Sequence, residues 1–276
     1  MFINMKMKFL ATALFIAVWV CSFAQKTYKR IVSLAPSLTQ SLYYLEAQNN
    51  LVGCTSYCEA AKKDRKPIVA SAVKPNLEKI ISLKPDLVIT AGLTDPKDIE
   101  TLRKFGIRVE IFESPTSFAG ICDQFVHLGL LVGKNEKAHA IVEGSKRKIS
   151  DITAKIKWKG TPKVFFQIGA DPLFAVIPNT FMDDYIRFLG GENIAKDLTH
   201  GTVGREFVIA KNPDYIFIAT MGIVGEEEKK IWSKYSNLNA ARNNRIFIVD
   251  SDMACQPTPI TFVQTMEVLQ QKILGQ

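Results

Sequence analysis

The sequence lacks the short motifs that mark common hydrolases and nucleotide-binding enzymes. It contains no GxSxG, no phosphate-binding GxxxxGK[ST], no GxGxxG and no HExxH. Its three histidines and five cysteines form no CxxC pair and no ligand-spaced array, which disfavours a structural zinc site. No Ser, His and Asp fall together on matching strand ends, so the chain does not read as an enzyme.

Long apolar runs are absent after residue 24, which disfavours a membrane-spanning mature chain. Residues 1–24 are typical of a signal peptide. Two lysines precede the apolar stretch Phe9–Cys21, and Ser22–Ala24 matches a signal peptidase site. We therefore expect cleavage before Gln25 and export to the periplasm. A lipoprotein anchored through Cys21 is the competing interpretation, although the bulky residue before that cysteine matches it poorly.

A strong charge of either sign is also missing. The full chain carries +8, and removal of the two leader lysines leaves 33 − 27 = +6. The basic residues form no large cluster, so we expect no nucleic-acid partner.

Four cysteines remain after the expected cleavage. An exported protein can pair them in three complete ways, and the spacing does not choose between these. The four are Cys54, Cys58, Cys122 and Cys255.

One sequence unit occurs twice. Glu78 opens a short helical pattern that Pro85-Asp86 ends, and an apolar run follows; Glu206 and Pro213-Asp214 repeat this arrangement. The offset, 206 − 78 = 128 residues, is too long for a solenoid repeat and indicates two similar lobes instead.

Strand and helix patterns alternate on both sides of one long helical stripe, which favours two α/β lobes with parallel sheets. Ligand loops of such sheets lie at the carboxyl ends of the strands. A Ser37–Gln40 capping box predicts one helix start, and Asn179 or Thr180 predicts another. The predicted units are a signal peptide at 1–24, an N-terminal lobe at 25–134, a connecting helix at 135–160 and a C-terminal lobe at 161–276.

The pattern resembles the substrate-binding proteins of ABC importers for cobalamin, haem and ferric siderophores. The segment Val164–Gly169 with Pro172 and Phe174 is most similar to the cobalamin-binding members. The residues that carry the family resemblance are Arg30–Ser37, Asn76–Glu78, Leu83–Ile89, Gly190–Asn193, Arg205-Glu206 and Pro213-Asp214.

This resemblance implies two Rossmann-like lobes joined by one long helix, with a ligand cleft between them. It implies no intrinsic cofactor and a monomer that delivers a small-molecule metal complex to an ABC importer permease dimer with its ATPase. Glu78 and Glu206 match the family's permease-docking acids, and we expect both on the face away from the ligand loops. A corrinoid is the first expected ligand, with haem or a ferric siderophore as alternatives; an exported α/β enzyme is the alternative of a different class.

The candidate ligand-binding residues lie in loops that the resemblance places at the cleft. Flat aromatic side chains there suit a large, mostly apolar ligand. The chain departs from the cobalamin-binding pattern because Trp158 and Trp232 fall in helical stretches and not in cleft loops. The candidates are Tyr57, Cys58, Pro172, Phe174, His200 and Met253.

Overall fold

The computed structural model describes residues 26–71, 74–92, 94–219 and 224–275. The predicted signal peptide and Cys21 lie outside the described residues, as do residues 220–222, where the sequence predicts the loop that follows the second apolar run. The strands are β1 Ile31–Ser33, β2 Leu51–Thr55, β3 Ile68–Ala70, β4 Leu87–Ala91, β5 Arg108–Phe112, β6 Lys163–Ala170, β7 Leu173–Ala175, β8 Glu192–Asn193, β9 Tyr215–Ile218 and β10 Ile246–Ile248. The helices are α1 Pro36–Tyr44, α2 Glu59–Lys63, α3 Leu77–Ser82, α4 Pro96–Lys104, α5 Phe118–Leu131, α6 Asn135–Lys155, α7 Asp183–Phe188, α8 Arg205–Lys211, α9 Val224–Ser233, α10 Asn239–Arg242, α11 Ser251–Ala254 and α12 Pro259–Leu274.

Two sheets define two lobes. The N-lobe sheet has the order β3-β2-β1-β4-β5, and all its pairings are parallel. The C-lobe sheet has the order β10-β9-β6-β7, with β8 also paired to β6. These sheets confirm the predicted α/β fold. One pairing differs, since β7 runs antiparallel to β6: the expected loop Gly169–Phe174 folds as a hairpin.

Each lobe buries the apolar strands that the sequence predicted. Ile31, Leu87 and Ile216 are fully buried at the centres of the two sheets. Helices cover both faces of a parallel sheet, so its central strands are apolar on both sides. Connecting segments line the edge of each sheet at which its parallel strands end, the carboxyl edge.

The lobes meet through α5, α7 and α12. The ring of Phe118 lies 4.5 Å from the ring of Phe262, and the Phe118 backbone N–H donates to Asp184 Oδ2 at 2.8 Å. The long helix α6 packs along α12, where Gln270 Nε2 donates to the Ile152 carbonyl at 2.9 Å. The helix α12 therefore supports the predicted connecting helix. The connecting helix ends at Lys155, whereas the sequence predicted its end at residue 160.

The aspartates of the repeated Pro-Asp pairs accept backbone N–H groups at the start of each lobe's first strand. Asp86 accepts the backbone N–H groups of Lys29 and Arg30 at 2.8 and 2.9 Å, just before β1. Asp214 accepts the N–H of Lys163, the first residue of β6, at 2.9 Å. Each aspartate thus fixes the entry of its lobe's first strand, in addition to following a helix stop.

The residues that precede these prolines share a left-handed backbone. Lys84 has φ 48° and Asn212 has φ 46°. Asparagine adopts this conformation readily, whereas lysine does so at a cost. The repeat therefore includes a tight turn in both copies. Lys84 in the first copy gives no sign of it, because lysine is not typical of left-handed backbone.

Two predicted helix caps are wrong. Helix α1 begins at Pro36 with Ala35 as its N-cap and no side-chain cap, so Ser37 lies inside the first turn. Proline is preorganised for the first helical position, which sets this start. Helix α7 begins only at Asp183, and the Thr180 hydroxyl instead donates to the Ile177 carbonyl at 2.7 Å.

Candidate functional site

Tyr57 occupies the carboxyl edge of the N-lobe. It lies in the turn between β2 and α2, with 56% of its surface exposed. Its backbone N–H donates to Thr55 Oγ1 at 3.3 Å, which ties the turn to the end of β2. The predicted ligand residue is thus held on a short turn with its ring accessible.

Cys58 follows Tyr57 but lies inside the lobe. Its sulfur is 3.1 Å from Thr39 Oγ1 and 3.2 Å from Thr55 Oγ1, and the residue is 3% exposed. Hydrogen bonding from Cys54 lowers the pKa of Cys58 to about 6. It outweighs the next largest effect, burial, which raises this pKa. This side chain supports the turn beneath Tyr57 and offers no surface to a ligand.

All four described cysteines are free thiols in this structure. Cys54, Cys58 and Cys122 are buried, and Cys255 is exposed. Hydrogen bonding to Cys58 raises the pKa of Cys54, so these two thiols are neighbours. The structure therefore brings together one of the pairs that the spacing left open.

The β6–β7 hairpin forms the corresponding feature of the C-lobe. Pro172 is exposed at its turn, and Phe174 on β7 is 37% exposed. Gly201 lies against the Phe174 ring so closely that a Cβ there would be 2.2 Å from Cε1. Glycine is needed at this position because any side chain would displace the ring. The orientation of Phe174 is thus set by a residue that the sequence did not single out.

His200 lies beside this hairpin on its outer edge. It is exposed, and its Nδ1 is 3.4 Å from Thr199 Oγ1. The next residue, Gly201, accepts the Ala175 N–H at 2.8 Å, so the segment forms a border along β7. His200 is near Phe174 but stands on the side of the hairpin that faces away from β6.

Met253 lies on α11, a short helix where a loop was expected. Asp250 caps it by accepting the Asp252 N–H at 2.8 Å. Tyr185 Oη donates to the Ala254 carbonyl at 3.1 Å, which fixes α11 against α7. Met253 is half-buried at the carboxyl end of β10 and keeps part of its side chain accessible.

A buried polar network lies behind the hairpin. Glu228 Oε2 accepts Gln167 Nε2 at 2.7 Å, and Glu228 Oε1 accepts Arg205 Nη2 at 2.6 Å. Trp232 Nε1 donates to Gln167 Oε1 at 2.8 Å, and the Arg205 guanidinium lies 4.8 Å from the Trp232 ring centre. Sequence reasoning missed this network. The i,i+4 spacing of Glu228 and Trp232 was a signal for one shared helix face, but their partners come from other elements.

Glu78 and Glu206 occupy equivalent positions. Each is the second residue of its helix, α3 or α8, and each is exposed. Asn76 caps α3 by accepting the Lys79 N–H at 2.9 Å. Glu206 folds over its own helix start, since a Cβ on Gly204 would be 2.6 Å from Glu206 Oε2.

The expected location of these acids, on the face away from the ligand loops, is wrong in both lobes. The Asn76 N–H donates to the Val69 carbonyl on β3 at 2.8 Å, two residues before Glu78, so this acid lies near the carboxyl end of β3. Val203 donates to the Leu173 carbonyl at 3.1 Å, three residues before Glu206, so the acid lies near the β6–β7 hairpin. The physical reason is topological. A helix between parallel strands starts toward the carboxyl edge, because it must return the chain to the amino end of the next strand.

Three cavities lie elsewhere in the described part of the molecule, with volumes of about 240, 540 and 340 Å³. None of these three is lined by a predicted ligand residue. The cavity of about 240 Å³ lies beside Trp158 and Arg245. The cavity of about 540 Å³ lies beside Thr27 and Lys134, and that of about 340 Å³ lies beside Asn212 and Tyr235.

Metal-binding clusters and membrane-spanning helices are absent from the described ranges. No group of three or more His, Cys, Asp or Glu side chains there could hold a metal ion. No helix in those ranges is long and apolar enough to cross a membrane.

Comparisons with known proteins agree with this geometry. A family model described as periplasmic binding protein matches residues 31–253. An uncharacterised ABC transporter substrate-binding lipoprotein of Bacillus subtilis is 30% identical over 259 residues, covering 90% of this chain and 81% of its own length. A vitamin B12-binding protein of Vibrio vulnificus is 28% identical, covering 87% of this chain and 88% of its own. The crystal structure of a periplasmic heme-binding protein of Vibrio cholerae matches with a TM-score of 0.79 at 19% identity, covering 88% of this chain and 98% of that one.

Proposed function

Because this chain belongs to the periplasmic binding protein family, whose members deliver substrates to ABC importers, we propose that it captures a corrinoid between its lobes. It then hands this cobalamin-like cargo to a permease dimer and its ATPase. The observation that carries the proposal is the pair of accessible aromatic rings, Tyr57 and Phe174, one at the ligand edge of each lobe.

These rings suit a large, flat and mostly apolar cargo. Aromatic side chains provide contact area with few rotatable bonds, so little entropy is lost on binding. Pro172 is exposed at the hairpin turn beside Phe174, and the half-buried thioether of Met253 lies on α11 at the carboxyl end of β10. Cys58 is left out of the proposed contact set because it is buried, and His200 is assigned to its border.

The corrinoid is preferred because vitamin B12-binding relatives cover almost the whole chain, including one at 28% identity. Haem is the second candidate, supported by the fold of a heme-binding neighbour and by the accessible Tyr57 and His200, whose oxygen and nitrogen atoms can approach haem iron. A ferric siderophore is a third cargo of the same kind.

The cargo is identified by titrating the purified mature protein with cyanocobalamin, dicyanocobinamide, haem and a ferric siderophore, followed by calorimetry and absorbance. Tight binding of the corrinoids alone supports the proposal, whereas haem alone would reassign the cargo. Failure to bind any of the four would refute the transport function.

Variants test the aromatic contacts. Phe174→Ala and Tyr57→Ala are each expected to weaken corrinoid binding at least about tenfold, a loss of roughly 1.4 kcal/mol. Phe105→Ala is the matched control, since this ring is 63% exposed at the end of α4, before the amino end of β5. Equal affinities in all three variants would contradict the proposed contact surface.

Docking is assigned to Glu78 and Glu206. Two carboxylates, one per lobe, can register against the two-fold symmetry of a permease dimer. Changing both to Ala should leave corrinoid affinity unchanged and impair uptake, with Glu100→Ala as a control on the exposed face of α4. Unimpaired uptake would favour a storage or sensing protein without a permease.

Export of a soluble, monomeric protein completes the proposal. Cleavage before Gln25 would leave a mature chain starting at that residue, which intact mass spectrometry of protein from the periplasm detects. A lipid-modified Cys21 would instead place the protein with the anchored relatives.

A further inference from the structure

A series of direct contacts joins Phe174, a proposed cargo-contacting residue, to Glu206, the proposed docking acid of the C-lobe. Phe174 pairs with Gly169 across the hairpin. The carbonyl of Gly169 accepts Gln167 Nε2 at 3.0 Å, and the same nitrogen donates to Glu228 at 2.7 Å. Glu228 then pairs with Arg205, the residue immediately before Glu206.

The central members of this series are shielded from water. Gln167 and Trp232 are fully buried, and Glu228 is 4% exposed. Each carboxylate oxygen of Glu228 has a different partner, one on β6 and one on α8. A buried charge that loses either partner is strongly destabilised, so β6, α8 and α9 cannot shift independently.

The N-lobe holds its docking helix in another way. The residue before Glu78 is Leu77, which packs on an apolar cluster that includes the fully buried Ile80. Among the described residues, no ion pair or side-chain hydrogen bond connects α3 with α4, the helix that corresponds to α9. Apolar contacts tolerate small shifts, whereas the short hydrogen bonds of the C-lobe do not.

We propose that Arg205 and Glu228 are positioning residues that couple cargo contact at the β6–β7 hairpin to the placement of Glu206. Cargo pressing on Phe174 fixes the hairpin, the hairpin fixes Gln167, and the buried ion pair carries this restraint to the first turn of α8. The C-lobe acid is therefore presented in a cargo-dependent way, while Glu78 is presented equally with and without cargo. This inference rests on the proposed function and adds the means by which occupancy is signalled to the permease.

Amide hydrogen exchange with and without saturating cyanocobalamin tests this coupling. Wild-type protein should show slower exchange both at the hairpin, residues 169–175, and at α8, the latter by at least about fivefold. In Glu228→Gln the hairpin should remain protected while the protection of α8 is lost. Glu227→Gln is the matched control, because it removes the same charge from an exposed neighbour on α9 and should behave as wild type.

A second variant guards against simple unfolding. Arg205→Met combined with Glu228→Met removes the ion pair while filling its space with apolar atoms, which preserves folding in comparable cases. It should bind cyanocobalamin with unchanged affinity yet show no cargo-dependent protection of α8.

The outcomes separate the two proposals. If cyanocobalamin protects the hairpin but leaves α8 unchanged in wild type, or if α8 remains protected in both ion-pair variants, the coupling is refuted and the transport function stands. If cyanocobalamin, and haem as the second probe, fail to protect the hairpin, the proposed function fails and the coupling falls with it.

Discussion

Removing the Asp86 carboxylate should destabilise the N-lobe through the start of its central strand. Asp86 accepts two backbone N–H groups, from Lys29 at 2.8 Å and Arg30 at 2.9 Å. In Asp86→Ala both donors lose their partner at the entry to β1. Because β1 pairs with both β2 and β4, loosening its entry affects the centre of the sheet.

The expected magnitude follows from these two bonds. A hydrogen bond to a charged group contributes roughly 1.5–3 kcal/mol, and the lower end applies because both donor residues are exposed. The sum is about 3 kcal/mol, or a change of about 100-fold in the unfolding equilibrium. Asp86→Asn keeps one acceptor oxygen and should lose about half as much.

Urea unfolding followed by circular dichroism measures the effect. With a slope of about 2 kcal/mol per molar urea, Asp86→Ala should lower the midpoint by about 1.5 M. Asp214→Ala should lower the midpoint by about half as much in the C-lobe, since Asp214 accepts one backbone N–H, from Lys163 at 2.9 Å. Asp151→Ala, on the exposed face of α6, is the control and should change stability by no more than about 0.5 kcal/mol.

A urea midpoint for Asp86→Ala no lower than that for Asp151→Ala would refute the stabilising role of these two hydrogen bonds. A loss confined to Asp86, with Asp214→Ala matching the control, would instead show that the repeat has the same geometry in both lobes but a structural role in only one.

Three further predictions concern other residues. Gly201→Ala should lower stability by about 1–3 kcal/mol and weaken corrinoid binding, because its Cβ would displace the Phe174 ring; an unchanged ring position in a crystal structure would contradict this. Lys84→Asn should raise stability by about 0.5–1 kcal/mol, because asparagine tolerates the left-handed backbone at φ 48°, and a lower melting temperature would refute it. Cys58 has its pKa lowered from 9.0 to about 6, so its stabilising effect is present above pH 9 and lost as the pH falls toward 6. The unfolding free energy of reduced wild type should therefore rise between pH 6 and 9, whereas that of Cys58→Ser should not; parallel pH profiles would contradict it.

The sequence predicted the strands well because local pattern decides them. Val88 and Ile216 lie in apolar runs of the length of a buried strand, and such runs have few alternatives in a soluble protein. It also located Glu78 and Glu206, since the Pro-Asp that follows each acid is a strong local stop signal. Helix starts were predicted less well, because Ser37 matches a capping-box pattern while the adjacent Pro36 is preorganised for the first helical position and sets the observed start.

The residues of the candidate site were likewise only partly predictable from the sequence. Tyr57 and Phe174 were predicted because the family resemblance places their loops at the cleft, and the structure exposes both. Cys58 adjoins Tyr57 in sequence, yet its side chain turns inward, where its sulfur contacts Thr39 Oγ1 and Thr55 Oγ1. No local pattern indicates which of two neighbouring residues in a turn faces solvent.

The sequence by itself determined that two similar lobes exist and that each carries an acid at a helix start, because both properties follow from periodicity and short stop signals. Only the tertiary structure decided that Asp86 and Asp214 tie down the first strands, and that Arg205, Glu228 and Gln167 form one buried network. Their partners lie 23 to 61 residues apart in the chain, and such distances are closed only when the sheets and helices pack.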